Sequence, residues 1–227
     1  MNSSPRLDPN EPFNVMAFGA NMSFTLAGNI SGPDKLCKWM LKKPEAAHRL
    51  LQLANEHIIK LAEYWKDLYG VDGVLPLGGE PTSANQLISP ANFEKFAMPY
   101  IAEVNRKFLD MGYKHLYAHI CGEHNDNLPF WKQIPQGDPG IISIAQEIEL
   151  AKAAEFFPND IILGNVNPAI IQTGSPDEVY EATRKNVEDG KALANGYVFS
   201  PGCEMPPMAP VENIRAMSQA VVDHGWY

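Results

Sequence analysis

One histidine and two cysteines are the residues of this sequence whose types and spacing point most directly to chemistry. His119 and Cys121 lie two positions apart in an apolar run, so a β-strand would present the imidazole and the thiol on one face. Cys203 comes much later, in the segment Ser-Pro-Gly-Cys-Glu. These three side chains can supply three ligands of a tetrahedral zinc ion, and an open fourth position is typical of catalytic zinc. On spacing alone a second interpretation stays open, a core histidine with two buried thiols, because free cysteine is commonly buried.

Two carboxylates and three amides are further candidates, each placed at or just after the end of a predicted strand. Glu80 closes the segment Gly-Gly-Glu and Glu147 follows Ile-Ile-Ser-Ile-Ala-Gln, so we predict both as catalytic groups at the mouth of a site. Their alternative roles are a solvated turn residue for Glu80 and the first residue of a helix for Glu147. Asn21, Asn165 and Asn167 are predicted to bind substrate, although the last two could simply cap a turn before a proline.

Other local signals are less specific. His124 lies in the polar segment Glu-His-Asn-Asp-Asn, where we expect a histidine on a surface loop rather than a ligand. The chain contains neither the Gly-x-Ser-x-Gly elbow of hydrolases nor a phosphate-binding loop. No Gly-x-Gly-x-x-Gly follows a predicted strand, which argues against a dinucleotide site.

Short apolar segments alternate with helical patterns along the chain. Strands are predicted over residues 13–20, 71–77, 114–120, 141–145, 160–165 and 197–200. Helices are predicted over residues 33–43, 44–69, 89–111, 149–157 and 210–223, and the third of them is expected to bend at Pro99. A further helix is predicted to begin at a Ser175–Glu178 capping box. This alternation favours a parallel α/β sheet, and polar side chains collected after strand ends are typical of a (β/α)8 barrel. Periodicity alone does not distinguish such a barrel from an open sheet.

Composition and charge restrict the classes of function. The chain has 227 residues, 45% of them hydrophobic, and carries 18 basic against 27 acidic residues for a formal charge of −9. We do not expect nucleic-acid binding from an acidic chain without a basic run, and no apolar stretch reaches the roughly 20 residues of a membrane span. Three cysteines do not make a disulfide framework, so we expect a cytoplasmic protein. Without linkers or low-complexity runs, residues 1–227 are predicted to form one domain.

Several segments resemble the uroporphyrinogen decarboxylase superfamily over nearly the whole chain. They are Gly-Ala-Asn-Met-Ser-Phe-Thr-Leu-Ala-Gly from Gly19, Leu-Ile-Ser-Pro from Leu87, Gly-Asn-Val-Asn-Pro from Gly164 and Pro-Gly-Cys from Pro201. Within the superfamily, the combination of His119, Cys121 and Cys203 is similar to the zinc motif of a methyltransferase branch. That branch includes the methylcobamide:coenzyme M methyltransferases.

The resemblance implies a (β/α)8-type barrel that is incomplete in this sequence. The six predicted strands correspond to the third to eighth strands of the family barrel, and the first two have no counterpart. Strand number, tilt and shear are linked, so six strands do not close an eight-stranded cylinder. The open edges would be residues 13–18 and 197–200, and unpaired edges attract other strands. We therefore expect self-association, or a second chain that supplies the missing strands.

The same resemblance implies a function. Zinc held by His119, Cys121 and Cys203 would serve methyl transfer between a methylcorrinoid, carried by a partner protein, and a small thiol or folate-type acceptor. A first alternative is a tetrapyrrole decarboxylase. It fits less well, because Ala27 lies near the position of a family tyrosine, Cys203 lies near that of a late histidine, and no arginine lies in a strand-end segment. A second alternative is a non-catalytic barrel that binds a corrinoid or a partner.

Overall fold

Six parallel strands form one sheet, in the order in which they occur along the chain. The computed structural model describes residues 16–226. The strands are β1 (Met16–Asn21), β2 (Val74–Gly79), β3 (Tyr117–Ile120), β4 (Ile141–Ile144), β5 (Ile161–Val166) and β6 (Tyr197–Pro201). Sequential parallel pairing is the order found in (β/α)8 barrels, whereas doubly wound sheets reverse their order part-way. The predicted parallel α/β sheet is confirmed; residues 13–15 of the first predicted strand lie outside the described residues.

Helices occupy most of the chain between the strands. They are α1 (Ser23–Ser31), α2 (Pro33–Lys42), α3 (Pro44–Tyr69), α4 (Pro90–Asn92), α5 (Met98–Asp110), α6 (Leu128–Trp131), α7 (Leu150–Phe156), α8 (Pro168–Thr173), α9 (Pro176–Lys191) and α10 (Val211–His224). Several begin with proline, whose missing N–H is not needed in the first turn. The predicted capping box opens α9: the Glu178 amide donates to the Ser175 hydroxyl at 3.3 Å, and the Ser175 amide donates to the Glu178 carboxylate at 2.7 Å.

The helix predicted over residues 89–111 is divided into three parts. Residues Phe93–Ala97 form a wider π-type turn between α4 and α5. Pro99 has no N–H to donate into the preceding turn, so the regular bonding pattern is interrupted there. The predicted helix is thus interrupted just before Pro99, and the bend itself stays a prediction.

The outer face of the sheet packs against the helices. Ile120, Ile142 and Ile162, from three neighbouring strands, belong to one buried cluster. At β1, the ring of Phe18 stacks on that of Trp65 in α3 with 5.5 Å between centroids. The buried residues of α3 recur at helical spacing: Ala47, Leu51, Ala54, Ile58 and Ala62. This packing leaves the inner face of the sheet for a site.

The inner face and the two edges of the sheet are open. Leu77 of β2 and Val198 of β6 are 37% and 46% exposed. Within residues 16–226, β1 and β6 each pair with one neighbour only, so the sheet does not close. No helix in this range is long and apolar enough to cross a membrane.

Candidate metal centre and its cleft

A row of side-by-side positions crosses the inner face near the carboxyl ends of the strands. In the parallel register, Asn21 pairs with Gly79, Gly79 with His119, and His119 with Ser143. Residues paired in this way on neighbouring strands point to the same face of the sheet. The register therefore brings the His119 ring next to the Ser143 hydroxyl.

Cys121 directly follows β3, two residues beyond His119. The next residue, Gly122, has a φ of +86°, which residues with a side chain rarely adopt, and it lets the chain turn away from the strand. A Cβ at Gly122 would lie 3.3 Å from the Cβ of Ala84, so glycine also allows the neighbouring loop to pack closely.

Cys203 is delivered by the loop that follows β6. The Gly202 amide donates to the carbonyl of Val166, at the end of β5, at 2.8 Å. A Cβ at Gly202 would lie 2.8 Å from the backbone nitrogen of Gln146, so only glycine lets the loop pass this close to the ends of β4 and β5. This contact carries Cys203 to Cys121, 82 positions away in sequence.

The three predicted ligands converge. The Sγ atoms of Cys121 and Cys203 are 3.8 Å apart, and one ligand atom from each of the three residues lies within 4.8 Å of the others. Two sulfur atoms held at about 2.3 Å by one tetrahedral zinc ion lie about 3.8 Å apart, so the separation of the thiols fits that metal. Between residues 16 and 226 this is the only such cluster of His, Cys, Asp and Glu side chains.

The two nitrogens of His119 have different surroundings. Nδ1 lies 2.9 Å from the Ser143 hydroxyl oxygen. Nε2 is buried and has no hydrogen-bond partner among the described residues. Burial lowers the pKa of His119, against the opposing effect of Glu204, and so favours the neutral ring that a metal requires. His119 thus has a buried nitrogen without a partner in the described range and belongs to a cluster with two thiols, a donor set that zinc would satisfy.

The electrostatics of the cluster also favour a cation. Burial raises the pKa of Cys121 to about 12, and the neighbouring Cys203, Glu147 and Glu204 act in the same direction. Several groups that are negative, or become so on ionisation, therefore face one another. A divalent cation placed among them would relieve their repulsion and favour the thiolates.

The cluster lies in a cleft of about 600 Å³ on the inner face of the sheet. Besides the three ligands, the cleft is lined by polar and apolar side chains that include Asn21, Leu77, Tyr117, Ser200 and Glu204. Asn21, predicted to bind substrate, thus lies in the same cleft as the ligands. A concave site of this size, with a few polar groups, suits a small molecule.

Glu147 lies near the cluster. Its Oε1 accepts a hydrogen bond from the Gln146 amide at 2.7 Å, and its Oε2 is buried without a partner in the described part of the chain. Its charge contributes to the raised pKa of Cys121. Since α7 begins only at Leu150, Glu147 does not open that helix, and a catalytic role for it stays a prediction.

Comparison with known proteins places the chain in a family. A family model described as uroporphyrinogen decarboxylase (URO-D) matches residues 11–224. The chain belongs to the uroporphyrinogen decarboxylase family. The resemblance inferred from the strand-end segments is confirmed.

Several of the curated proteins that are similar to this chain are methyltransferases. The methylcobamide:CoM methyltransferase MtbA of Methanosarcina acetivorans is 29% identical over 204 residues, which cover 88% of this chain and 56% of that protein. The methylated-thiol–coenzyme M methyltransferase of Methanosarcina mazei is 26% identical over 200 residues, which cover 87% of this chain and 50% of that protein. Uroporphyrinogen decarboxylases also match, at lower identity. The chain spans about half the length of the curated relatives it matches.

A solved structure shares the fold. A methyltransferase from Methanosarcina mazei superposes with a TM-score of 0.76 at 21% identity, covering 92% of this chain and 59% of that one. Together with the family match, this confirms the predicted incomplete (β/α)8-type barrel.

Glu80 of this family member is a buried group and does not line the cleft, so the position predicted for it at the mouth is wrong. It is 0% exposed, and its carboxyl group accepts hydrogen bonds from the Phe24 amide at 3.2 Å and from the Thr25 hydroxyl. Burial raises the pKa of Glu80 to about 8, although the bonds from Thr25 and Phe24 act to lower it. Glu80 therefore anchors the first turn of α1, where the free amides favour an acceptor.

His124 is also buried, and the prediction of a surface histidine is wrong. Its Nε2–H donates to the backbone carbonyl of Glu80 at 3.3 Å. Its Nδ1 accepts from the side-chain amide of Asn127 at 3.0 Å and from the Trp131 indole at 3.1 Å. Burial lowers the pKa of His124 to about 4. The polar segment after Cys121 thus forms an internal network that fixes the loop behind the cluster.

Asn165 and Asn167 lie away from the metal centre. The Asn165 amide donates to the carbonyls of Ala145 at 2.9 Å and Ile148 at 2.6 Å, so its donors hold the backbone rather than a substrate. Asn167 caps α8 by accepting from the Ala169 amide at 2.8 Å. Both line a second depression rather than the cleft with the ligands, which corrects their predicted place in the substrate site.

Among the residues of the cleft that sequence reasoning missed are Ser143, Ser200 and Glu204. Ser143 had a usable signal, because it is the one hydroxyl within the apolar strand Ile-Ile-Ser-Ile. Glu204 directly follows a predicted ligand. The face of the sheet on which the Ser200 side chain lies could be inferred only once the pairing partner of its strand was known.

Proposed function

We propose that this chain forms the zinc-binding part of a methyltransferase site, which moves a methyl group between a corrinoid protein and a thiol or similar acceptor. The convergence of His119, Cys121 and Cys203, with thiols 3.8 Å apart, carries the proposal. The names of the relatives support the reaction class.

His119, Cys121 and Cys203 would hold the ion and leave a position facing the cleft. Bound there, zinc would supply Lewis acidity that lets an incoming thiol bind as a thiolate at neutral pH. Two thiolates and a neutral imidazole balance the charge of Zn²⁺, so the acceptor sulfur keeps its nucleophilicity. Asn21, which lines the cleft, would orient the acceptor, and Glu147, whose charge acts on Cys121, would take up the released proton.

The methyl donor would be a methylcorrinoid carried by a separate protein above the cleft. Attack of the acceptor sulfur on the methyl carbon would form a sulfur–carbon bond and break the cobalt–carbon bond, whose electron pair would stay with cobalt. The open mouth of the cleft, at the carboxyl ends of the strands, is where (β/α)8 barrels bind their substrates.

Metal analysis tests the zinc assignment directly. We expect close to one zinc per chain, and we expect it to be lost in the double variant Cys121→Ser, Cys203→Ser. Cys37→Ser is the matched control, because Cys37 lies in α2 outside the cluster and is also a free thiol. Full zinc retention in the double variant would overturn the assignment.

Two activity assays separate the candidate reactions. Methyl transfer from methylcobalamin to a panel of thiols and to tetrahydrofolate, with and without zinc, tests the proposal. Incubation with uroporphyrinogen tests the decarboxylase alternative, which the decarboxylases among the relatives keep open. Loss of carboxyl groups from uroporphyrinogen without a metal would favour the decarboxylase. Zinc binding without either reaction would favour the non-catalytic alternative.

We further propose that the two open edges are covered in the working protein. β1 and β6 each have one unpaired side in the described residues, and unpaired edges recruit strands. Strands of a second copy or of another polypeptide would cover them.

A further inference from the structure

The His119 ring makes a single hydrogen bond in the described part of the structure, and its partner is Ser143. We propose that Ser143 is a positioning residue of the metal centre: it accepts the Nδ1–H bond of His119, fixes the ring and so leaves Nε2 available to an ion held together with the two thiols. This inference rests on the proposed zinc site and adds a residue to it.

The position of Ser143 is built into the sheet. It lies on β4 in direct register with His119 on β3, so the two side chains point to the same face. Ser143 is 2% exposed and is flanked by buried isoleucines in its strand. A hydroxyl in such surroundings is unfavourable unless it is hydrogen-bonded, and the His119 ring at 2.9 Å is the partner it has.

The hydrogen bond selects the form of the ring. A neutral imidazole has one N–H donor and one acceptor nitrogen. If the proton were on Nε2, a buried N–H would lack an acceptor in the described structure, and that nitrogen could not bind a metal. With the proton on Nδ1, the Ser143 oxygen accepts it and the Nε2 lone pair is free for the ion. Histidine ligands of metals commonly donate their second N–H in this way.

Zinc affinity of matched serine variants tests the proposal. The assay is competition with a chromophoric chelator for the wild type, Ser143→Ala, Ser143→Thr and Ser200→Ala. Ser143→Ala should weaken zinc binding by about 10- to 100-fold, and Ser143→Thr, which keeps the hydroxyl, should restore it. Ser200→Ala should leave the affinity unchanged, because that hydroxyl lines the same cleft but, among residues 16–226, bonds only to the Pro201 carbonyl at 3.0 Å.

Cobalt substitution adds a spectroscopic readout. A changed orientation of one ligand alters the visible absorption bands of Co²⁺, so Ser143→Ala should shift them and Ser143→Thr should not. A Ser143→Ala variant with both wild-type affinity and the wild-type cobalt spectrum would refute the role.

Nitrogen NMR of the metal-free protein keeps this inference separate from the zinc assignment. We expect the His119 ring to carry its proton on Nδ1 in the wild type and to become a mixture of tautomers in Ser143→Ala. If the wild type binds no zinc, the proposed function fails, while the tautomer shift still reports on Ser143. Equal tautomer populations in both proteins, with unchanged thermal unfolding, would overturn the positioning role.

Discussion

Replacement of Glu80 by glutamine should remove a large pH dependence of stability. Glu80 is fully buried and its pKa in the folded chain is raised to about 8 from an ordinary value of 4.5, chiefly by burial. Between these two values the folded chain keeps the carboxyl proton, whereas the unfolded chain releases it. Rising pH therefore favours the unfolded state, and stability is greatest below the ordinary pKa.

The size of the effect follows from the two pKa values. Each pH unit within this window changes the free energy of unfolding by about 1.4 kcal/mol. From pH 5.5 to 7.5, allowing for partial ionisation near each pKa, the wild type should lose about 2.5 kcal/mol through Glu80. Glu80→Gln mimics the protonated carboxyl group: its carbonyl oxygen accepts from the Phe24 amide and its NH2 group can donate to the Thr25 hydroxyl oxygen, but it has no proton to release. The variant should thus gain about 2.5 kcal/mol relative to the wild type over the same range.

Urea unfolding at pH 5.5, 6.5 and 7.5 measures this difference. Glu178→Gln is the control, because the hydrogen bonds from Ser175 lower the pKa of Glu178. That residue is ionised in the folded and the unfolded state throughout the range. The free energy of unfolding of its variant should therefore change with pH in parallel with that of the wild type. If the free energy of unfolding of Glu80→Gln also changed with pH in parallel with that of the wild type, Glu80 would be ionised in the folded chain and burial would not raise its pKa.

Three further perturbations test the framework around the site. Gly202→Ala should weaken zinc binding by chelator competition, because its Cβ would lie 2.8 Å from the Gln146 backbone nitrogen and shift the loop that carries Cys203; unchanged affinity would contradict this. His124→Ala should lower the free energy of unfolding in urea by roughly 3 kcal/mol, because Asn127 and Trp131 lose their acceptor. A loss of only about 0.5 kcal/mol or less, which is usual for substitutions on the surface, would count against this role. In chromatography with light scattering, the 227-residue chain should self-associate, and a stable monomer of 25.1 kDa would show that its edges are covered.

The fold was largely predictable because its signals are local. Residues 44–69 were predicted as one helix from their apolar spacing, and α3 has these bounds. Each of the six predicted strands is present with shifts of a few residues at the ends. α1 and α8 were not predicted. The reason is clear for α1, which buries the polar Ser23 and Thr25 through bonds to Asn55 and Glu80 beside apolar residues, so its apolar and polar residues do not separate onto two faces.

The site was predictable where its residues are adjacent in sequence and was misread where burial decides their role. His119 and Cys121 share a strand end, so their common face followed from strand geometry. Glu80 and His124 resemble exposed polar residues in the sequence, yet both are buried. Glu80 lies against Phe24 and Thr25 of α1, and His124 lies against Trp131. Ser143 could be placed against His119 only once the pairing of β3 with β4 was known.

Zinc binding and methyl transfer should depend on different parts of the fold. His119 and Ser143 lie on β3 and β4, in the interior of the sheet. Cys203 follows the edge strand β6, but Gly202 bonds to Val166 and approaches Gln146, so its loop is held by the ends of β4 and β5. The ligands are therefore fixed without any neighbour on the free side of β6. Zinc stoichiometry should thus stay the same whether the edges are open or covered, while methyl transfer, which also needs the rest of the cleft, should respond to that covering.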